Sequence, residues 1–111
     1  MNSQSLSRDF TDSLLEYRRE LDVLDEEFVK LLAARFSVTR RIGALKATHG
    51  AGAADSAREQ AQLDRLLSLS ENLGLPTELT REVYETVFRF VRAGHLAQAK
   101  DMGAGTAKAA P

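Results

Sequence analysis

Apolar residues recur along the first half of the chain at alternating intervals of three and four: Leu14, Tyr17, Leu21, Leu24, Phe28, Leu31, then Val38, Ile42 and Leu45. Side chains at that spacing fall on one face of an α-helix, so the pattern predicts one long amphipathic helix. Thr11, Asp12 and Ser13 offer N-caps, and His49-Gly50-Ala51-Gly52 supplies a stop. At a rise of 1.5 Å per residue the helix is roughly 50 Å long, against a radius of gyration of only ~13 Å for a compact domain of this size. It must project beyond the core of its own subunit.

Asp55 then reads as the N-cap of a second helix, its carboxylate placed to accept from the backbone N–H of Ala57 or Arg58. Leu63, Leu66, Leu67, Leu69 and Leu73 follow, and Gly74 closes the helix. Leu75-Pro76-Thr77 is a turn into a third helix carrying Leu79, Val83, Val87, Phe90, Val91 and Leu96. No internal repeat and no alternating strand pattern interrupts this order. The expectation is an all-α domain of three helices over residues 13–100, with a flexible segment at 1–12 and a disordered Ala/Gly-rich tail at 101–111.

The chain has 111 residues and no Cys, so neither a disulfide framework nor a thiolate metal site adds to the stability of a small core. Packing against a second copy is the evident remedy. The balance of 15 Lys+Arg against 16 Asp+Glu leaves a formal net charge of −1, which argues against a general nucleic-acid-binding surface. No apolar run approaches the roughly 20 residues of a membrane helix. The opening MNSQSLSRDFTDS lacks the apolar core of a signal peptide, which makes a cytoplasmic location the expectation. His49 and His95 lack ligand-like spacing and read as structural, so no metal is expected. Without a Gly-rich phosphate loop or a Ser/His/Asp constellation, any chemistry must rest on positioning and electrostatics.

One position in the long apolar seam breaks the pattern: the three-four register calls for an apolar residue at 35 and the chain carries Arg35. A guanidinium on a buried face must be paired. Arg35 either extends to solvent, pairs with a carboxylate such as Asp25 or Glu59, or belongs to an anion site. Lys46 favours the last reading, because it lies 11 residues on, about 16 Å away on nearly the same face, with no acidic residue between them on that face. Arg18 lies about 25 Å back along the same helix and is turned by roughly 100°. It can share a small ligand with Arg35 only from a second, antiparallel subunit; alone it reads as a solvated charge beside Arg19 and Glu20. In the third helix Gly94 and Gln98 place a small residue and an amide on the Val83, Val87, Phe90 face. A helical Gly costs about 1 kcal/mol relative to Ala, so Gly94 implies close packing or room for a ligand.

These residues together resemble the all-helical, type II class of chorismate mutases. The resemblance spans about Leu14 to Lys100 and is carried by the run from Arg18 to Glu26, the Leu31-Leu-Ala-Ala-Arg35 segment, Ile42-Gly-Ala-Leu-Lys46, Asp55-x-x-Arg58-Glu59 and the late Gln98. It implies an intertwined homodimer of three-helix chains in which each site draws an Arg from the partner. The implied reaction is the Claisen rearrangement of chorismate to prephenate, which needs no nucleophile, metal or cofactor. By the same resemblance Arg35 and the partner subunit's Arg18 grip the two substrate carboxylates, and Lys46 and Gln98 donate to the ether oxygen. Glu59, with the backbone near Asp55, receives the ring hydroxyl, and Arg58 supports the carboxylate end. Where the family often has a Ser, this chain has Gly94, which removes a hydroxyl donor and implies weaker substrate binding.

The form expected is monofunctional, with any coupling to a pathway enzyme made between separate chains. Two other functions remain open at this level. One is isochorismate pyruvate lyase on the same scaffold, disfavoured by Asp55-x-x-Arg58-Glu59; the other is a non-catalytic helical dimerisation or regulatory module, favoured only by Gly94.

Overall fold

The computed structural model describes residues 3–109, with side chains over 7–102, and within them it is all-α: α1 (Ser3–Thr48), α2 (Ser56–Asn72) and α3 (Thr77–Ala109). The chain divides into two units, Met1–Phe36 and Ser37–Pro111. The first is the N-terminal part of α1; the second holds the end of α1 with α2 and α3.

The helix ends follow local chemistry. α1 closes where Gly50 takes a φ of 67°. Ala51 N–H then donates to Lys46 O at 2.8 Å and Gly50 N–H to Ala47 O at 3.3 Å, a Schellman pair that satisfies two terminal carbonyls. α2 ends the same way, with Gly74 at φ 71°, Leu75 N–H on Ser70 O at 2.9 Å and Gly74 N–H on Glu71 O at 3.1 Å. Asp55 caps the start of α2, its carboxylate accepting from Arg58 N–H at 3.1 Å. The start of α1 differs from expectation, because helix begins at Ser3 rather than at the Thr11–Ser13 caps. The Thr11 hydroxyl donates back to Ser7 O at 2.8 Å, four residues earlier, so it serves a helix interior instead of an N-terminus. Helical backbone likewise covers residues 101–109, where a disordered tail is expected.

In the second unit α2 packs on α3 through Leu63, Val87 and Phe88, all buried. Full burial of such side chains is worth about 1.5–3 kcal/mol each. The buried stripe of α3 runs Thr80, Val87, Phe88 and His95, with half-buried Tyr84 against Phe88 at 5.9 Å between ring centroids. Phe90 and Leu96, counted with the core in the sequence pattern, lie on another face and are exposed. Ser70 clasps the α2–α3 turn: its hydroxyl donates to Leu75 O at 3.1 Å. A serine hydroxyl has one proton, so the 2.7 Å bond between Ser70 and Thr80 is donated by Thr80.

α3 also meets the end of α1 within this unit. His95 Nε2 donates to Thr39 O at 2.9 Å, which fixes the proton on Nε2 because a carbonyl only accepts. Gln98 Nε2 donates to Arg40 O at 2.9 Å. Gly43 is buried beneath these two side chains, and a Cβ there would lie 1.8 Å from Gln98 Oε1 and 2.6 Å from His95 Cδ2. Of the two readings of Gly94, close packing does not hold, since its side-chain position faces open space; the close approach occurs at Gly43 instead.

Candidate active site

In the first unit, Arg18 and Arg35 both stand on α1. Arg18 is exposed; Arg35 is half-buried, with Nη1 withdrawn from solvent. The seam does not account for this difference, because the neighbours of Arg35 in register, Leu31 and Val38, are exposed; Arg35 instead shares its partial burial with Leu32 and Phe36. Around them Tyr17, Leu21, Leu24, Phe28 and Leu31 are exposed, Leu31 to 70%.

In the second unit the remaining candidates occupy helix termini and one helix face. Lys46 lies in the last turn of α1, half-buried, and among the described residues its ammonium makes no ion pair. The α2 N-terminus brings Asp55, Arg58 and Glu59 together in one turn, because the cap ties Arg58 N–H to the Asp55 carboxylate and Glu59 N–H donates to Asp55 O at 3.0 Å. Asp55 is thus occupied as a cap, with Arg58 exposed and Glu59 half-buried. Gln98 is seated over Gly43 with one amide proton on Arg40 O and Oε1 buried. A primary amide carries two donors, so the second N–H remains for another acceptor. Gly94, one helical turn before Gln98, leaves its side-chain position open.

The residue that sequence reasoning missed is Arg92. Its Nη1 donates to Glu59 Oε1 at 2.5 Å, an ion pair joining α3 to the first turn of α2. A signal was present in the chain, since Phe88, Arg92 and His95 are spaced i, i+4, i+7. A cation in line with an apolar position one turn away is the kind of anomaly that singles out Arg35 in the sequence. The pair edges a cavity of about 250 Å³ between α2 and α3, whose walls include Ser56, Leu63 and Phe88.

The family model for chorismate mutase type II matches residues 17–95, which takes in every candidate named above except Gln98. The chain belongs to the type II chorismate mutase family. The activity of that family is chorismate mutase, an isomerase reaction. The chain is 30% identical to the T-protein of Haemophilus influenzae over 86 residues, covering 78% of this chain and 22% of that protein. It is 29% identical to a bifunctional chorismate mutase/prephenate dehydratase of Buchnera aphidicola over 76 residues, covering 68% of this chain and 20% of that one. The chain thus spans about a fifth of the length of these two relatives. Among the described residues, no helix is long and apolar enough to cross a membrane.

Proposed function

We propose that this chain converts chorismate to prephenate as a homodimer with two sites, each completed by the partner subunit's Arg18. The observation that carries the reading is the family match, within which Arg18, Arg35, Lys46, Asp55, Arg58 and Glu59 stand in order. Arg35 and the partner subunit's Arg18 hold the two carboxylates, so the flexible dianion is kept in the compact chair in which its reacting carbons meet. The ether C–O bond breaks as the new C–C bond forms, and negative charge grows on the ether oxygen. Lys46 and the second N–H of Gln98 donate to that oxygen, an interaction stronger in the transition state than in the ground state. Glu59 accepts the ring hydroxyl, Arg58 supports a carboxylate, and the opening at Gly94 admits the substrate without adding a donor.

The exposed seam of Tyr17, Leu21, Leu24, Phe28 and Leu31 supports a second copy as the partner, since a contiguous apolar face of this length calls for a cover. The test is complementation. Arg18→Ala and Arg35→Ala homodimers are each expected to be nearly inactive on chorismate. After the two are unfolded together and refolded, random pairing makes half the dimers mixed, each with one intact site, so about a quarter of wild-type activity returns. No recovery, or a monomer by sedimentation, rejects the shared site. Pyruvate from isochorismate without prephenate from chorismate rejects the mutase reading itself.

A further inference from the structure

Among the acidic side chains at the start of α2, Glu59 is the one drawn inward, its side chain 22% exposed. Its carboxylate is held by a residue 33 positions away, Arg92, through Nη1 to Oε1 at 2.5 Å. Arg92 is itself set by the fold: Phe88, one turn earlier on α3, is buried against α2, and His95, three residues later, is anchored on Thr39 O. The guanidinium therefore comes from a part of α3 fixed at both ends. A glutamate side chain has three rotatable bonds, and a charge-assisted bond to one oxygen removes most of that freedom while leaving the other oxygen to accept.

We propose that Arg92 is a positioning residue for Glu59: by engaging Oε1 it orients the carboxylate so that Oε2 accepts the ring hydroxyl of the substrate. This rests on the assignment of Glu59 to that hydroxyl. Arg92 acts through Glu59 and needs no contact with the substrate. Its effect is to pre-form the acceptor, which lowers the cost of ordering it when substrate binds.

The test is a double-mutant cycle on the full chain, with prephenate formation from chorismate and thermal unfolding measured for each variant. Arg92→Ala is expected to lower kcat/KM by roughly tenfold, a common scale for coupling between contacting charged residues. Arg92→Lys, which keeps a cation but loses the planar fork, recovers part of that loss. In a Glu59→Ala background, Arg92→Ala changes kcat/KM less than twofold. A merely structural Arg92 would lower the unfolding temperature of the otherwise wild-type chain while leaving kcat/KM per folded chain unchanged, and that result overturns the inference. So does an Arg92→Ala enzyme with unchanged kcat/KM while Glu59→Ala is impaired. If Glu59→Ala itself turns over chorismate normally, the role of Glu59 fails first and the inference falls with it; that outcome is recognisable without the Arg92 variants.

Discussion

Gly43 lies directly beneath Gln98, so close that a single methyl group at residue 43 would stand 1.8 Å from the Gln98 side-chain oxygen. Replacing Gly43 with Ala brings two opposed effects. Helix propensity improves by about 1 kcal/mol. Overpacking against Gln98 and His95 costs about 1–3 kcal/mol. The atom struck first is the end of a flexible side chain, so the fold yields there by displacing the amide from Arg40 O. Gly43→Ala is expected to lose up to about 2 kcal/mol in urea unfolding while losing at least tenfold in kcat/KM. Normal turnover in a Gly43→Ala enzyme would detach the seating of Gln98 from catalysis.

Gly94 predicts the opposite sign. Apart from the adjacent residues and the backbone of its own helix, nothing lies within 4 Å of a Cβ built there, and the residue is exposed within α3. Gly94→Ala should therefore stabilise the chain by about 1 kcal/mol through helix propensity alone. Gly94→Ser adds a hydroxyl at the position where the resemblance implies a donor to a carboxylate. One neutral hydrogen bond, at about 1 kcal/mol, lowers KM for chorismate roughly fivefold with kcat little changed. A KM unaffected by the serine would mean that the position does not reach the substrate.

Ser70 and Thr80 predict an order of stabilities. Ser70 accepts from Thr80 and donates to Leu75 O, so it serves two groups, whereas Thr80 serves one. Thr80→Val removes a donor and leaves Ser70 still bonded to Leu75, at a cost of about 1 kcal/mol. Ser70→Ala strands the Thr80 hydroxyl in a buried site and releases the Leu75 carbonyl, which costs more, about 1–3 kcal/mol. Chemical denaturation of the two variants checks the order; the reverse ranking would reassign the proton. Both sites lie away from the proposed catalytic groups, so kcat per folded chain stays at the wild-type value.

The pH profile tests Gln98. An amide donates at every pH, so this residue imposes no requirement for acid. Gln98→Glu substitutes a group that donates to the ether oxygen only when protonated, which for an ordinary glutamate means below about pH 4.3. The variant should be active at acid pH and lose activity as pH rises through that range, while the wild type shows no such loss. Profiles of kcat/KM for the two proteins that run parallel would remove Gln98 from the reacting centre. Gln98 lies three residues beyond the stretch matched by the family model, which makes this the most informative single substitution.

Helix number, the two glycine stops and the Asp55 cap were legible in the chain because each is decided within a few residues. Gly50 and Gly74 take positive φ where the three-four pattern ends, and Asp55 stands three residues before the N–H it accepts. Arg35 and Lys46 stood out for the same local reason, as cations on an apolar face. The start of α1 is not legible in the chain, because a threonine hydroxyl bonds as readily to a carbonyl four residues back as to an N-terminal N–H, and only the folded helix decides which. Tertiary structure alone decided the pairs that join distant segments: Arg92 with Glu59 across 33 residues, and Gln98 with Arg40 across 58. Periodicity assigns a side chain to a face but carries no information about which residue of another helix stands opposite. That is set by how Leu63, Val87 and Phe88 fill the space between α2 and α3, and by the missing side chain at Gly43 that lets α3 approach α1.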